Sequence, residues 1–561
     1  MRVALAQINP TIGDFSGNLA RIKEYAARGA AEGAALVVFP ELAMCGYPPA
    51  DLLEKDAFLE RARTALDELR VWTAGDGRPA LVVGTAIRNE AADAKHARNV
   101  AVVLDRGEQV FEQGKKLLPF YDVFDEQRYF EPAEWQWLFR LRGQSIALTI
   151  CEDAWNDKIF WPERRYAVDP VDDLMGAWPD DERPRFILNI SASPYWKNKR
   201  GVREEMLGAL ARRHDAVVAM VNQVGGNDSL IFDGSSLVVG GDGAVVARGR
   251  SFAEDLVVFD VGEPFVGGLT TADARASDER EEIAATWEAL VLGTRDYLRK
   301  CGFRKALVGL SGGIDSALVA AIAVEALGAE NVNGIGMPSE FSSGGSVEDA
   351  RALAENLGIR FDLLPIRSVF DDYMRVLDES FAGTPFGLAE ENLQARIRGA
   401  LLMAMSNKTG AIVLTTGNKS EMSTGYCTLY GDMVGGLAVI GDVWKTRVYQ
   451  LCAYANRERE VIPRSTIEKP PSAELRPGQM DTDSLPAYEV LDPMLEAYVE
   501  HYATAEEIAR TQGADTELVR GVLRLVERSE YKRKQAAPVL KVTEKAFGSG
   551  RRFPIAARVE V

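Results

Sequence analysis

The chain has 561 residues, too many for one hydrophobic core, so two to four domains are expected. Lys and Arg total 65 against 83 Asp and Glu, and the net charge of -18 argues against a general nucleic-acid or acidic-membrane binder. The hydrophobic content of 47% is typical of a globular protein, and no apolar run reaches membrane-spanning length.

The start of the chain and its cysteines indicate the compartment. The segment MRVALAQINP leads directly into a strand pattern and lacks the basic and apolar regions of a signal peptide, so a cytoplasmic protein is expected. The five cysteines include no C-x-x-C pair, which indicates neither a disulfide framework nor a structural zinc site.

Short apolar strands dominate the chain up to about residue 262, with helical stretches such as NLARIKEYAARGAAEGA between some of them. Several strands are continuous runs of Val, Ile, Leu and Ala, a pattern typical of strands that are covered on both faces. A layered α/β domain is therefore predicted for residues 1–262. Its predicted strands are RVALAQI, ALVVFPE, ALVVGTAI, NVAVVLD, SIALTIC, RFILNIS and AVVAMVNQV.

Three chemically complementary side chains follow strands in this half. Glu41 lies in FPELAMCGY, Lys115 in GKKLLPFYD, and Cys151 at the end of SIALTIC. A thiol with a pKa near about 8.5 needs an activating partner before it can attack an amide. None of the three histidines of the chain lies in a recognisable Cys-His motif. We therefore predict that Glu41 takes the thiol proton and that Lys115 stabilises a tetrahedral oxyanion.

This arrangement resembles the nitrilase superfamily, whose Glu-Lys-Cys triad lies on a four-layer αββα sandwich, and the matching strings span most of residues 1–262. The resemblance implies a glutaminase that forms a thioester on Cys151. It favours Lys115, which stands four residues before Pro119 as in Lys-x-x-Leu-Pro, and leaves Lys116 open as the alternative. It further implies a supporting role for Glu126 and glutamine-binding roles for Tyr121, Ser193 and Lys199.

A change in pattern separates this half from the next. Residues 263–280 lose periodicity and gather Gly, Thr, Ala and acidic residues, which is typical of a linker. A helix is predicted over about 281–300. Strand candidates then alternate with helices, which predicts βαβ units, a parallel sheet and ligands at the carboxyl ends of its strands. The Pro-rich stretch after about residue 465 is kept in this second domain, 281–561. The strands are KALVGLSGG, VNGIGMP, RFDLLPI and AIVLTTG, and the helices include SVEDARALAENLG and LQARIRGALLMAMSN.

The string GLSGGIDS places backbone N–H groups at a helix start, where the helix dipole favours a phosphate or pyrophosphate. It contains no Lys and is not the GxxxxGK[ST] loop, so released pyrophosphate is the expected ligand. We expect Asp315 to hold a Mg²⁺ ion against this pyrophosphate. The string resembles the loop of the ATP pyrophosphatases, which adenylate a substrate and then admit an amine. The candidate ATP-binding residues are Gly309, Leu310, Ser311, Gly312, Gly313, Ile314, Asp315, Ser316, Thr416 and Lys445.

Three later strings, ENLQARIRGALLMAMSN, TTGNKSEMSTGYCTLYGDMVGG and EYKRKQAAP, resemble NAD synthetases, which amidate deamido-NAD+ with a Rossmann-like domain. This resemblance implies that Asn392, Glu421 and Lys532 contact deamido-NAD+ and that Thr416 contacts ATP. It also implies that Glu421 joins Asp315 as a Mg²⁺ ligand. Taken with the first half, the resemblance is to bacterial glutamine-dependent NAD synthetases and covers nearly the whole chain. It implies glutamine, deamido-NAD+ and ATP as substrates, no nucleic-acid or membrane partner, and a homo-oligomer.

Two other functions fit part of the pattern. Another ATP-pyrophosphatase amidotransferase, such as a GMP synthetase, would share the SGGIDS loop, but it would carry a Cys-His-Glu glutaminase, and the nitrilase-like half argues against it. A nucleotide-binding regulatory module fused to an inactive amidase-like scaffold is disfavoured by the intact set of Glu41, Lys115 and Cys151.

Overall fold

The computed structural model describes residues 1–91, 93–163, 165–178, 184–262 and 279–561. The chain divides into two compact units, Met1–Glu279 and Arg280–Val561. Residues 263–278 of the expected linker lie outside the described residues. The linker and the predicted domain limits therefore remain predictions. No helix in the described ranges is long and apolar enough to cross a membrane.

The first unit is built on two six-stranded sheets, with strand orders β14-β1-β2-β3-β4-β5 and β13-β12-β9-β8-β7-β6. Its strands are β1 (Arg2–Gln7), β2 (Leu36–Val38), β3 (Ala80–Arg88), β4 (Ala97–Asp105), β5 (Glu108–Gly114), β6 (Leu138–Leu141), β7 (Gln144–Ile150), β8 (Phe186–Ser191), β9 (Val217–Asn222), β10 (Val224–Asn227), β11 (Leu230–Asp233), β12 (Leu237–Val239), β13 (Val245–Arg248) and β14 (Asp255–Asp260). Its helices are α1 (Phe15–Ala31), α2 (Asp56–Trp72), α3 (Glu126–Tyr129), α4 (Pro170–Gly176) and α5 (Lys199–His214).

The continuous apolar strands of this unit are explained by burial on both faces. In β1, Val3 and Leu5 belong to the core between the two sheets, whereas Ala4 and Ala6 belong to the core beneath α1 and α2. Successive side chains of a strand point to opposite faces, so a strand between two layers must be apolar at every position. A third core lies between the second sheet and helices α4 and α5. The predicted αββα sandwich is confirmed.

The second unit contains a five-stranded parallel sheet with the order β17-β16-β15-β18-β19. Its strands are β15 (Ala306–Gly309), β16 (Val332–Gly336), β17 (Arg360–Leu363), β18 (Ile412–Thr415) and β19 (Leu437–Ala438). Its helices are α6 (Glu279–Lys300), α7 (Ile314–Leu327), α8 (Gly344–Leu357), α9 (Arg367–Phe381), α10 (Leu388–Thr409), α11 (Lys419–Thr424), α12 (Lys445–Ala455), α13 (Arg464–Glu468), α14 (Tyr488–Val499), α15 (Ala505–Gln512), α16 (Thr516–Arg528) and α17 (Glu530–Arg533).

The strand order of this sheet positions a ligand site. From β15 the chain runs outward to β16 and β17 on one side, and it later returns to β18 on the other side. Such a reversal opens a crevice at the carboxyl ends of the two central strands, where open α/β sheets bind their ligands. The SGGIDS loop leaves β15 at this point, and the parallel α/β architecture expected of the second half is confirmed.

Candidate active sites

A buried ionic centre joins three of the side chains predicted for the first unit. The Lys115 Nζ donates to Glu41 Oε1 at 2.7 Å and to Glu126 Oε1 and Oε2 at 2.8 and 2.7 Å. The side chains of Lys115 and Glu41 are 0% exposed, and that of Glu126 is 5% exposed. One ammonium group therefore lies between two carboxylates, with no access to bulk water that could screen the charges.

Burial and charge act against each other in this centre. Burial opposes the charge on Lys115, but Glu126 and Glu41 outweigh it and hold the pKa of Lys115 well above its usual value. Burial raises the pKa of Glu126 to about 7, although Lys115 lowers it. Burial, followed by the charge of Glu41, raises the pKa of the Cys151 thiol well above its usual value, and Lys115 opposes that shift. The sulfur is therefore favoured as a thiol, which needs a base before it can act as a nucleophile.

Cys151 begins a short 3-10 turn, Cys151–Ala154, directly after β7, and its backbone has a φ of 42°. A non-glycine residue in this left-handed region is strained, and such strain is held in place only by strong surrounding contacts. Asp153 supplies some of them. Its Oδ1 accepts from the backbone N–H groups of Lys116 and Leu117 at 3.0 and 2.8 Å, and its Oδ2 accepts from Ile150 N at 3.2 Å. The Cys151 turn is thereby fixed to the segment that carries Lys115.

The structure separates the two neighbouring lysines. Whereas Lys115 is buried between carboxylates, Lys116 directs its Nζ to the exposed backbone carbonyl of Glu134 at 3.3 Å. Of the two lysines, Lys115 is the one beside Glu41. The geometry therefore favours the register chosen from the Lys-x-x-Leu-Pro pattern.

The residues predicted to bind glutamine make their own polar contacts. Tyr121 donates its hydroxyl to Glu152, the residue after Cys151, at 2.9 Å. Lys199 donates to the carbonyl of Pro194 at 2.8 Å, and the backbone N–H of Ser193 donates to Asn222 Oδ1 at 2.9 Å. The buried Glu152 carboxylate also accepts from Tyr166 Oη at 3.1 Å.

Sequence reasoning missed two acceptors and one amide at this site. Glu152 and Asp153 directly follow Cys151 in CEDAW, and this adjacency is the signal that could have identified them. Asn99, within the apolar run NVAVVLD, donates to Glu41 Oε1 at 2.7 Å. A polar residue at the start of an apolar run was its only signal in the sequence.

The second unit contains a cavity of about 310 Å³ at the carboxyl ends of its strands. Of the predicted residues, Gly312, Asn392 and Lys532 are not among those that line it. The predicted residues that do line it are Gly309, Leu310, Ser311, Gly313, Ile314, Asp315, Ser316, Thr416, Glu421 and Lys445.

The SGGIDS loop is shaped by one glycine and two hydroxyls. Gly312 has a φ of +79°, and a Cβ on it would lie 2.2 Å from the backbone oxygen of Ser346, so no other residue fits this position. The Ser316 hydroxyl donates to Gly313 O at 3.0 Å, and Ser311 N donates to the same hydroxyl at 3.3 Å. The loop thus passes tightly over the start of α7, a 14-residue helix whose first-turn N–H groups face the cavity end of the sheet.

A charged cluster lies at the same end of the cavity. Lys445 donates its ammonium to Asp315 and lies 4.0 Å from Glu421 Oε1, while Asn418 Nδ2 donates to Asp315 Oδ1 at 3.0 Å. Burial opposes the charge on Lys445, but Asp315 and Glu421 outweigh it and raise its pKa. Burial and the neighbouring Asp315 raise the pKa of Glu421 to about 8. Glu421 therefore favours its protonated form near neutral pH, although Lys445 opposes that shift.

Two predicted residues that do not line the cavity contact the segment after α11, of which Tyr426 and Cys427 do line it. Asn392 accepts from the Thr428 hydroxyl at 2.8 Å, and Lys532 donates to the backbone carbonyls of Gly425 and Cys427, both at 2.7 Å. The structure thus brings Asn392 and Lys532 to the same four-residue stretch, 425–428.

Comparisons with known proteins agree with these two sites. Residues 2–264 match the carbon-nitrogen hydrolase family, and residues 286–536 match the NAD synthase family. A glutamine-dependent NAD(+) synthetase from Synechocystis sp. is 49% identical over 559 residues, which cover 99% of this chain and 98% of that protein. The chain belongs to the glutamine-dependent NAD(+) synthetase family.

Further members of this family show the same full-length similarity. The glutamine-dependent NAD(+) synthetase of Thermotoga maritima is 43% identical and covers 100% of this chain and 99% of its own length. The solved structure of the Acinetobacter baumannii enzyme, in complex with ADP, is 39% identical and aligns with a TM-score of 0.75 over 99% of this chain and 98% of that chain. The resemblance found in the sequence is therefore confirmed over both halves.

Proposed function

We propose that this member of the glutamine-dependent NAD(+) synthetase family hydrolyses glutamine at the Lys115 centre and uses the ammonia to amidate adenylated deamido-NAD+ in its second unit. The products are glutamate, NAD+, AMP and pyrophosphate. The observation that carries the proposal is the dehydrated ammonium of Lys115, held at 2.7 Å from both Glu41 and Glu126 beside a strained cysteine. A purely structural role would not require a lysine between two buried carboxylates, because burial of such ions is costly.

In the first unit, Glu41 accepts the Cys151 thiol proton while the sulfur attacks the carboxamide carbon of glutamine. Lys115 stabilises the resulting oxyanion, and Glu126 keeps the ammonium in position. The intermediate collapses, Glu41 returns the proton to the leaving nitrogen, and ammonia departs to leave a γ-glutamyl thioester. Water, deprotonated by Glu41, then cleaves the thioester to glutamate and restores the thiol.

Glutamine is a zwitterion, and the polar residues around the nucleophile suit it. Lys199 provides a positive charge for the α-carboxylate, and its ammonium is held by Pro194 O at 2.8 Å. Tyr121, oriented by Glu152, and the buried Ser193 provide the remaining donors and acceptors. These roles follow the family resemblance, and the contacts support them.

In the second unit, the deamido-NAD+ carboxylate attacks the α-phosphate of ATP, and pyrophosphate leaves. The N–H groups of the 309–316 loop and the ammonium of Lys445 stabilise the departing charge, while Thr416 positions the nucleotide. Ammonia then attacks the acyl-adenylate carbonyl, and AMP departs. Asn392, Glu421 and Lys532 hold deamido-NAD+ at the reacting end.

The two acids of the cavity fit a magnesium ion. Asp315 and Glu421 supply hard carboxylate oxygens. The two carboxylates repel each other, and a divalent cation bound between them would relieve this repulsion. No group of three or more His, Cys, Asp or Glu in the described part of the chain has metal-site geometry, so phosphate oxygens and water would complete the shell. When bound, Mg²⁺ supplies positive charge to the pyrophosphate leaving group.

The test of the proposal is the nitrogen source used by Cys151→Ala. With deamido-NAD+, ATP and magnesium, the variant should make no NAD+ from glutamine but retain synthesis with excess ammonium salt, because only the thioester needs the sulfur. Cys45→Ala, at another buried thiol of the same unit, should retain both activities within a few-fold. Sustained glutamine-driven synthesis by Cys151→Ala would refute the nucleophile. Pyrophosphate release with xanthylate instead of deamido-NAD+ would favour a GMP synthetase.

A homo-oligomer remains a proposal from the family resemblance. One exposed apolar face supports it: in α9 only Phe370 is buried, whereas Tyr373 and Val376 are 47% and 79% exposed. Light scattering coupled to gel filtration measures the mass directly, and a monomeric mass at micromolar concentration would contradict this proposal.

A further inference from the structure

One residue outside the predicted set contacts both ends of the ionic centre. Asn99 lies in β4, is 1% exposed, and pairs with Ala86 of β3. Its side-chain Nδ2 donates to Glu41 Oε1 at 2.7 Å, and its backbone oxygen accepts from Lys115 N at 2.9 Å. A single strand residue therefore links the base of the proposed reaction to the oxyanion donor.

The side chain of Asn99 is not optimised for stability. Its Oδ1 is buried and has no hydrogen-bond partner among the described residues. A buried acceptor without a partner is destabilising, and a leucine of similar size would avoid that cost. The amide cannot be turned to relieve it, because Oδ1 would then face the Glu41 carboxylate. The residue keeps an unpaired acceptor in order to present its N–H to Glu41.

The donors around Glu41 are unevenly distributed. Oε1 accepts from both Lys115 and Asn99, each at 2.7 Å, whereas Oε2 accepts only from the backbone N–H of Ala192 at 3.0 Å among the hydrogen bonds of the described residues. A carboxylate oxygen has two lone pairs, so the free acceptor capacity lies on Oε2. The carboxylate is thus oriented with one oxygen saturated and the other available for a proton.

We propose that Asn99 is a positioning residue of the glutaminase reaction. Its amide N–H orients the Glu41 carboxylate and favours the charged form of this base, while its backbone carbonyl holds the backbone of Lys115 in place. The inference rests on the proposed role of Glu41 as the base for Cys151. It predicts that loss of the N–H makes Glu41 easier to protonate, because a hydrogen bond to the charged form favours that form. The titratable groups facing Glu41 are Lys115, Glu126, Cys151, Cys45 and Tyr47.

The experiment compares the pH profiles of glutaminase kcat/KM for two substitutions at this position. Asn99→Leu removes the donor and the unpaired acceptor together, so we expect a melting temperature equal to or above wild type but a loss of about 10- to 100-fold at neutral pH. The acid limb of its profile should move to higher pH. Asn99→Asp places a like charge beside Glu41, so its acid limb should move further.

Two controls separate positioning from structure. Asn18→Leu removes a buried asparagine of the same unit that bonds Thr11 and Met44, and it should lower the melting temperature without moving the acid limb. Synthesis from ammonium salt should be unchanged in both Asn99 variants, which shows that the second unit is intact. Asn99→Asp is nearly isosteric and decides the outcome if the leucine variant does not fold.

The outcomes are distinct from those of the parent proposal. A wild-type profile for either Asn99 variant, or an equal loss at every pH in both, would overturn the positioning role. Cys151→Ala is assayed in parallel: if it still hydrolyses glutamine, the proposed nucleophile fails, whereas if it is inactive and the Asn99 variants are normal, only the role of Asn99 fails.

Discussion

Removal of the Lys115 charge should impair the first unit in both activity and stability. Lys115→Met keeps most of the side-chain volume but leaves Glu41 and Glu126 buried without their common counterion. Breaking a buried pair typically costs about 3–5 kcal/mol, which lowers the melting temperature of a unit of this size by about 6–20 °C. Loss of an oxyanion donor should in addition reduce glutamine turnover by about 100- to 1,000-fold.

The stability loss should depend on pH in a defined direction. Burial already raises the pKa of Glu126 to about 7, and Lys115 is the main charge that lowers it. In Lys115→Met this pKa should rise further, so the folded unit holds a proton that the unfolded chain releases above about pH 4.5. Stability of the variant should therefore fall as pH increases from 5 to 8.

The assay is thermal unfolding at pH 5.5, 7 and 8, together with glutamine hydrolysis and ammonia-driven synthesis. Lys116→Met is the matched control, because its ammonium contacts only the exposed carbonyl of Glu134 at 3.3 Å, and its stability should stay within about 0.5 kcal/mol of wild type. If Lys116→Met is the inactive variant, or if Lys115→Met becomes more stable as pH rises, the reasoning is wrong.

Three predictions concern the second unit. Asp315→Asn should abolish pyrophosphate release with deamido-NAD+ while glutamine hydrolysis remains measurable, because the Lys445 and Asn418 contacts place this carboxylate in the cavity; normal pyrophosphate release would exclude the metal role. Because the pKa of Glu421 is raised to about 8, binding of Mg²⁺ with ATP at pH 7 should release close to one proton. Calorimetry in two buffers of different ionisation enthalpy measures this release, and an equal release by Glu421→Gln would assign the proton elsewhere. Gly312→Ala should raise the KM for ATP at least about tenfold, since φ is +79° and a Cβ would meet Ser346 O; Gly344→Ala, with open space around it, is the control, and equal KM values would contradict the loop assignment.

Local pattern was enough for the architecture of both units. Continuous apolar strands indicated sheets covered on both faces, and the alternation after residue 300 predicted a parallel sheet, because both features are set by which face of each element is buried. Other elements were missed. The short strands between Val224 and Arg248 carry little periodic apolar signal because each has only three or four residues. Helix α9 was missed although Phe370, Tyr373, Met374 and Leu377 recur at helical spacing in its sequence.

The sequence by itself determined which residues are chemically capable. The sequence alone shows that Cys151 ends a strand and that a glycine loop precedes Asp315, because the residues of a turn interact over only a few positions. The tertiary structure decided which residues meet. Glu41 and Lys115 are 74 positions apart in the chain, and Asp315 and Lys445 are 130 positions apart. The tertiary fold brings each pair together, and no local spacing encodes those contacts. Asn99 illustrates the limit: in the chain it is one polar residue in an apolar strand, and only the fold shows that its amide faces Glu41 at 2.7 Å.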